Sequence, residues 1–318
     1  MQQRGYRNIT IRGLGKGHLE TFGRKFFSAF SILFRIGKGD VLFLQYPFKK
    51  FFHIYCLLAH LKGAQTVTLI HDLGSFRRKK LTVAKEMKRL SATDYIIAHN
   101  DRMRSWMQLQ GCSCPIGCLD IFDYLSDASA SSCLHQSPYC NIAFAGGLSE
   151  RKSSFLYAAG NTLAGCHLDL FGKNNFSGND FGSNLEFHGQ IPSDAFIENN
   201  PDDWGLVWDG EAVDGCSGTW GNYLRYNNPH KTSFYLRAGL PVIVWDESAM
   251  APFIQRHHLG LTVARLGQIP ALLAEMSNAD YSTMIDNVQT VSHQLQEGFY
   301  FYQALDDALQ SLIQQQSH

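Results

Sequence analysis

The chain has 318 residues, 45% of them apolar, with 28 basic and 28 acidic side chains. That length calls for two domains of roughly 150 residues each. Zero formal net charge argues against a duplex nucleic-acid binder, which carries a basic excess, so no nucleic-acid partner is expected.

The opening MQQRGYRNIT lacks the apolar core of a signal peptide. The longest apolar stretch, Phe51 to Leu61, is interrupted by His53 and His60 and falls short of the roughly 20 residues a bilayer span needs. A cytoplasmic protein is expected. Two basic features, Lys49 and Lys50 inside YPFKKFFHIY and the run Arg77, Arg78, Lys79, Lys80, read either as solvated surface or as peripheral contact with anionic headgroups on the inner face of a membrane. The stretch from Phe48 to Tyr55 could equally face a second subunit of a homo-oligomer, or the core.

In the first half, strands are expected at Asn8–Ile11, Val41–Gln45, Thr66–Ile70, Tyr95–His99 and Gly117–Phe122, with helices over His18–Arg35, Lys80–Leu90 and Asp101–Leu109. Asp101 is expected to cap the last of these. The loop Arg12–His18 is Gly-rich but lacks the third glycine of a dinucleotide fingerprint, and its Gly15 is placed on the acceptor side. A serine-rich, aperiodic stretch then reads as a linker over 126–139. In the second half the strands are Asn141–Gly146, His167–Gly172, Leu185–Gly189, Trp204–Gly210, Pro241–Trp245 and Leu261–Ala264, with a helix over Pro229–Ala238 and a polar helical tail over Asp280–Gln314.

Alternating strands and helices indicate parallel sheets. The expected fold is α/β: two Rossmann-like domains whose sheets face a central cleft, with domains at 1–125 (acceptor side) and 140–280 (nucleotide-sugar side) and a tail, 281–318, packing across both. The eight cysteines are expected as reduced thiols. Cys112, Cys114 and Cys118 follow C-x-C-x3-C, which lacks the paired arms of a zinc ribbon, so no metal is assigned; Cys118 is expected in a buried strand.

Ligands of open parallel sheets bind at the carboxyl edges of strands, and three such edges carry chemistry. His71 and Asp72 follow the third strand directly, an imidazole beside a carboxylate that can take a hydroxyl proton; the plainer reading is a helix cap with a packed histidine. Arg77 lies in the same loop. Gly146 and Gly147 end the first strand of the second half and lead through Arg151 and Lys152 into a helix, a turn that lets backbone approach a phosphate or is simply a turn. Asn227, Asn228, Pro229, His230, Lys231, Thr232 and Ser233 form a helix start where free N–H groups and an ammonium converge, suited to a diphosphate without a metal. Asp209, Tyr223 and Arg225 are placed as sugar or acceptor contacts, with a structural role equally open. The Asp180–Gly182 tripeptide DFG has no kinase context, and no D-x-D tripeptide points to a metal-dependent sugar transferase.

In their order and spacing, DVLFLQYP, IHDLGSFR, DYIIAHNDRM, IFDY, FAGGLSERKS, GLVWDG and YNNPHKTSFYLRAGLPVIVW resemble the bacterial β-1,6-galactofuranosyltransferase family, close to the glucosyltransferases that extend GlcNAc on serine-rich adhesins. The resemblance runs from about Gly5 to Val263. It implies a GT-B, metal-independent, inverting hexosyltransferase of surface polysaccharide, O-antigen or capsule synthesis. A UDP-sugar is then the co-substrate and a saccharide or lipid-linked glycan the acceptor. UDP-galactofuranose is the first choice of donor, UDP-glucose or UDP-galactose the second. By the same resemblance Lys231 meets the diphosphate, with Asn227 and Asn228 beside it, and His71 and Asp72 serve the acceptor. Members of that family begin with a further strand and helix ahead of the segment matching GYRNIT. A truncated, non-catalytic nucleotide-binding partner of another transferase is therefore a second reading. A nucleotide-sugar epimerase or dehydrogenase lacks its fingerprint here.

Overall fold

Residues that are apolar on both faces of a strand need helices above and below, and that need shapes both halves of the chain. The computed structural model describes residues 5–9, 30–47, 51–77, 81–130, 139–178 and 181–316. Two units emerge, one of residues 1–118 with 304–318, the other of residues 119–303.

Unit 1 is a four-stranded parallel sheet in the order β1 (Val41–Tyr46), β2 (Gln65–Ile70), β3 (Tyr95–Ala98), β4 (Ile116–Cys118). β3 is buried at every position and β2 at all but its first, as expected of parallel strands covered on both faces. The helix Phe52–Leu61 buries Phe52, Tyr55, Cys56, Leu58 and Ala59, so the aromatic stretch before it supplies core side chains. Its Lys49 and Lys50, like Gly15, the Arg12–His18 loop, Arg78–Lys80 and Asp180, lie outside the described residues. The helix Val83–Leu90 starts at Thr82, whose hydroxyl accepts from the Lys85 N–H. Asn100, not Asp101, caps the helix Asp101–Leu109, accepting from the Met103 N–H. Asp101 is instead the first helical residue, paired with Arg104 at 2.8 Å and accepting from the Cys118 thiol. Cys118 is accordingly half-buried, and the strand that carries it stops there, short of Phe122.

Unit 2 is a six-stranded parallel sheet in the order β10-β9-β8-β5-β6-β7, with β5 Asn141–Ala145, β6 His167–Phe171, β7 Leu185–Gly189, β8 Trp204–Val207, β9 Val242–Trp245 and β10 Gly260–Val263. From β5 the chain adds strands in one direction to β7, then returns to the other side of β5 with β8. This doubly wound order puts a topological switch point between β5 and β8. Those two strands pair only through Ile142 with Trp204 and Ala143 with Gly205. Beyond that the gap is filled by the helix His230–Arg237. The Tyr235 hydroxyl accepts the Ala145 N–H at 2.6 Å, and a Cβ on Gly205 would stand 2.2 Å from the Tyr235 ring. Glycine inside an apolar strand is here the mark of close approach. Trp204 and Trp208 are wholly buried, with their indoles donating to the carbonyls of Tyr139 and Ala212; each such burial contributes about 1.5–3 kcal/mol.

The stretch 119–130 packs as part of unit 2, so the division falls after Cys118 and ahead of the 126–139 stretch expected as a linker. Arg237 donates to the carbonyls of Ser126 and Ala128, Ser233 to that of Phe122, and the Asp123 carboxylate accepts the N–H groups of Tyr300 and Phe301. Burial pushes the Asp123 carboxyl up to about 6. The expected single tail is two helices, Asn278–Glu297 and Phe299–Gln316, broken at Gly298, which ends the first in the left-handed region with φ 75°. Residues 304–316 of the second belong to unit 1. No described helix is long and apolar enough to cross a membrane.

Candidate active site

The switch point of unit 2 collects three chain segments. β5 runs out into Gly146 and Gly147, both exposed. Gly146 adopts φ 146°, and its carbonyl lies so near Gly172 that a Cβ there would stand 1.9 Å away. The backbone beyond β5 is therefore bare, as a phosphate-binding turn requires. β8 runs out into Trp208, Asp209 and Gly210, and the Gly210 N–H donates to the Lys152 carbonyl at 2.7 Å. That bond holds the segment after β5 against the segment after β8. The third segment is the helix His230–Arg237, begun at Pro229, which lacks an N–H and suits a helix start.

Lys231 lies one turn before Tyr235, on the same helix face. Its Nζ reaches Asp209 Oδ1 at 3.2 Å and the Trp208 carbonyl at 3.4 Å, and it sits 4.1 Å from the centre of the Phe144 ring. The other Asp209 oxygen faces Lys152 Nζ at 3.6 Å. Asp209 is thus shared by two ammonium groups and is 6% exposed. Burial pushes the Lys231 ammonium down from 10.5 to about 8; Asp209 opposes that shift and Lys152 adds to it. One carboxylate between two lysines leaves one positive charge in excess at a strand edge. Arg151 and Lys152 also lie over the Trp220 ring, at 5.4 and 5.6 Å from its centre. Among the described residues, no trio of His, Cys, Asp or Glu side chains in this cradle could share an ion.

The rest of the Asn227–Ser233 segment divides. Asn228 donates to the Asp120 carbonyl at 2.8 Å, Ser233 donates to that of Phe122, and the His230 ring lies 4.4 Å from the Phe122 ring. These three side chains fasten the 120–122 segment. Thr232 Oγ1 and Asn227 Oδ1 are buried and have no partner among the described residues. Tyr223 is 4% exposed, and Arg225 pairs with Glu247 and stacks 4.4 Å from the Trp245 ring. Gly146, Gly147, Lys152, Asp209 and Lys231 are therefore brought together, whereas Tyr223 is buried and Arg225 is engaged by Glu247 and Trp245. A shallow hollow of about 410 Å³ at the β10 edge, lined by Leu261, Leu272, Met276 and Met284 among others, holds none of them.

In unit 1, His71 and Asp72 follow β2 directly, and the His71 N–H donates to the Tyr46 carbonyl at 2.7 Å. Both are half-buried, and the Arg77 side chain lies outside the described structure. The turn is held by Glu86, which is wholly buried and accepts from the Tyr46 hydroxyl and the N–H groups of Gly74 and Ser75, at 2.6, 2.8 and 2.8 Å. Burial, then Glu86, pushes the Tyr46 hydroxyl well above its ordinary value. Sequence reasoning missed Glu86, Gly205 and Tyr235. A glutamate on the buried face of the Val83–Leu90 helix and a glycine inside an apolar strand were the available signals.

Comparison with known proteins follows the same division. The family model described as glucosyltransferase 3-like, C-terminal domain, matches residues 142–308, and its N-terminal counterpart matches residues 1–121. The chain is 32% identical over 275 residues to the beta-1,6-galactofuranosyltransferase WbbI of Escherichia coli (strain K12), covering 86% of this chain and 80% of that one. It is 24% identical over 289 residues to glucosyltransferase 3 of Streptococcus gordonii, covering 89% and 83%. Among solved structures, a UDP-forming alpha,alpha-trehalose-phosphate synthase from Burkholderia vietnamiensis superposes with a TM-score of 0.62 at 10% identity, over 94% of this chain and 81% of that one. The apo lipopolysaccharide outer core galactosyltransferase WaaB does so with 0.58 at 14%, over 92% and 81%. The likeness shows the fold, two parallel-sheet α/β halves of the GT-B kind.

Proposed function

The chain belongs to the glucosyltransferase 3-like family of glycosyltransferases, and we propose that it moves a hexosyl group from a UDP-sugar to a saccharide acceptor with inversion and without a metal. The observation that carries this reading is the Lys231–Asp209–Lys152 group at the switch point of unit 2. As the bond from the anomeric carbon to the diphosphate breaks, its electron pair goes to the phosphate oxygen. Preorganised cations at that oxygen stabilise the developing charge. Lys231 and Lys152 supply them, and the dianion returns the Lys231 ammonium toward its ordinary value. Thr232 Oγ1, buried and without a partner among the described residues, can donate to a phosphate oxygen, and Asn227 Oδ1, likewise without one, can accept from a donor hydroxyl. The acceptor hydroxyl gives its proton to a base as its oxygen bonds to the anomeric carbon, and the unit 1 group suited to that role is the Asp72 carboxylate with His71 beside it. Glu86 keeps that turn in place.

The relative at 32% identity favours galactofuranose as the sugar, with glucose or galactose as the alternative, and a bacterial surface glycan as the product. Exposed Leu57 and Leu61, one turn apart on the helix Phe52–Leu61 and followed by exposed Lys62, support peripheral contact with an anionic membrane surface carrying a lipid-linked acceptor. The test is incubation of the protein with UDP-galactofuranose, UDP-glucose or UDP-galactose and a panel of saccharide acceptors. UDP release is followed, and the product linkage is read by NMR. One donor should dominate, release should need acceptor, and the anomeric configuration should invert. UDP binding without transfer from any donor would replace this reading with a non-catalytic one.

A further inference from the structure

A second cluster of chemistry lies in unit 2 on β6 and β7, apart from the cradle at β5 and β8. In parallel strands alternate residues share a face, so His167 and Asp169 lie on one side of β6 with Phe171, whose ring meets Phe196 of the helix Ser193–Asn199 at 5.0 Å. β7 pairs Glu186 with Asp169, and a register shift after Leu170 brings His188 alongside as well. His167 Nε2 stands 3.4 Å from Asp169 Oδ1 and 3.7 Å from Glu186 Oε2, and the three ligand atoms lie within 4.8 Å of one another. His188 Nε2 bonds to Asp169 Oδ1, and its ring stacks on Phe171 at 5.0 Å.

Tetrahedral zinc with bonds of about 2.0–2.2 Å separates its donor atoms by roughly 3.3–3.6 Å. The spacing found here is of that size, before any ion has drawn the ligands in. Imidazole with carboxylate suits Zn²⁺ and its neighbours and disfavours Mg²⁺. A separate observation points to the same place. Asp202 is wholly buried and hydrogen-bonds the Asp169 carboxylate, and its Oδ1 has no further partner among the described residues. Asp202 and His188 flank Asp169 as the outer groups that orient a ligating carboxylate. The side chains of His167 and Glu186 are 38% and 63% exposed, which leaves a way in from solvent.

We propose that His167, Asp169 and Glu186 bind one transition-metal ion of the Zn²⁺ class, with His188 and Asp202 holding Asp169 in position. The ion ties β7, the edge strand of its sheet, to β6. It is separate from sugar transfer, since neither Lys231 nor Asp209 belongs to it.

The experiment titrates chelator-treated full-length protein with Zn²⁺, read by unfolding temperature and by competition with a chromophoric chelator, and repeats the titration with Co²⁺ for its absorption spectrum. One ion should bind per chain and raise the unfolding temperature, and Co²⁺ should show tetrahedral bands without thiolate charge transfer. His167→Ala and Glu186→Gln should each weaken binding at least tenfold while keeping the wild-type circular dichroism and UDP affinity. His293→Ala and the double variant Cys112→Ser/Cys114→Ser should bind as the wild type does. Unchanged binding in Glu186→Gln, loss of the ion in the cysteine variant, or no Zn²⁺ uptake at micromolar concentration would overturn the proposal.

Discussion

Two buried carboxylates, one in each unit, are partnered in opposite ways. Glu86 accepts from one hydroxyl and two backbone N–H groups, all neutral, and so closes the turn after β2. Asp209 stands between two ammonium groups and leaves them one positive charge in excess. A carboxylate closed by neutral donors holds a loop in place. One outnumbered by cations holds a place for an anion. Two buried carboxylates thus serve scaffold in one unit and ligand binding in the other, and what separates them is the charge of their partners.

Four experiments press on that contrast. The largest effect is expected of Lys231→Ala, which removes a cation aimed at the leaving group. Transfer should fall about 10²–10³-fold with the wild-type circular dichroism kept, and near-normal turnover would remove Lys231 from the cradle. Glu86→Ala should do the reverse, costing about 1–3 kcal/mol for the buried Tyr46 hydroxyl it strands. Urea denaturation reads that loss, and UDP affinity should not change. Gly205→Ala joins the two effects. Its new Cβ collides with the Tyr235 ring, so stability should drop by about 1–3 kcal/mol and UDP affinity should fall as the Lys231 helix shifts. The smallest effect is that of pH. The Lys231 ammonium lies near 8 in the folded protein against an ordinary 10.5. Between those values the unfolded chain holds more protons, so the stability of the nucleotide-free protein gains from this group as pH rises. The diphosphate needs the ammonium, so UDP affinity should fall over the same window, by up to about tenfold per pH unit. Lys231→Met should abolish both slopes.

Much of this architecture is legible in the sequence, because strands buried on both faces are written as short apolar runs. β7 matches its expected bounds, and β2, β5, β6, β9 and β10 fall within a residue of theirs at each end. β8 is shorter than its apolar run, since Trp208 and Asp209 are buried by the loop beyond the strand. Asn100 and Asp101 are adjacent residues that can both cap, and only geometry chooses between them. The serine-rich stretch looks like a linker because its partners are remote: Arg237 meets two backbone carbonyls there, and carbonyls carry no sequence signature. The helix break at Gly298 was visible as a glycine but was outweighed by the helical pattern on either side. Lys231 could be singled out from a helix start after a strand. The finding that Asn228, His230 and Ser233 fasten residues 120–122 depends on contacts more than a hundred positions apart.

The account rests most directly on Lys231 meeting a nucleotide diphosphate. The measurement is a calorimetric titration of UDP into the wild-type protein and into Lys231→Ala, below pH 8, with urea denaturation of both. One UDP should bind per wild-type chain, and the variant should bind at least tenfold more weakly while still unfolding cooperatively from a native fold. Equal affinity in the two proteins would contradict the account.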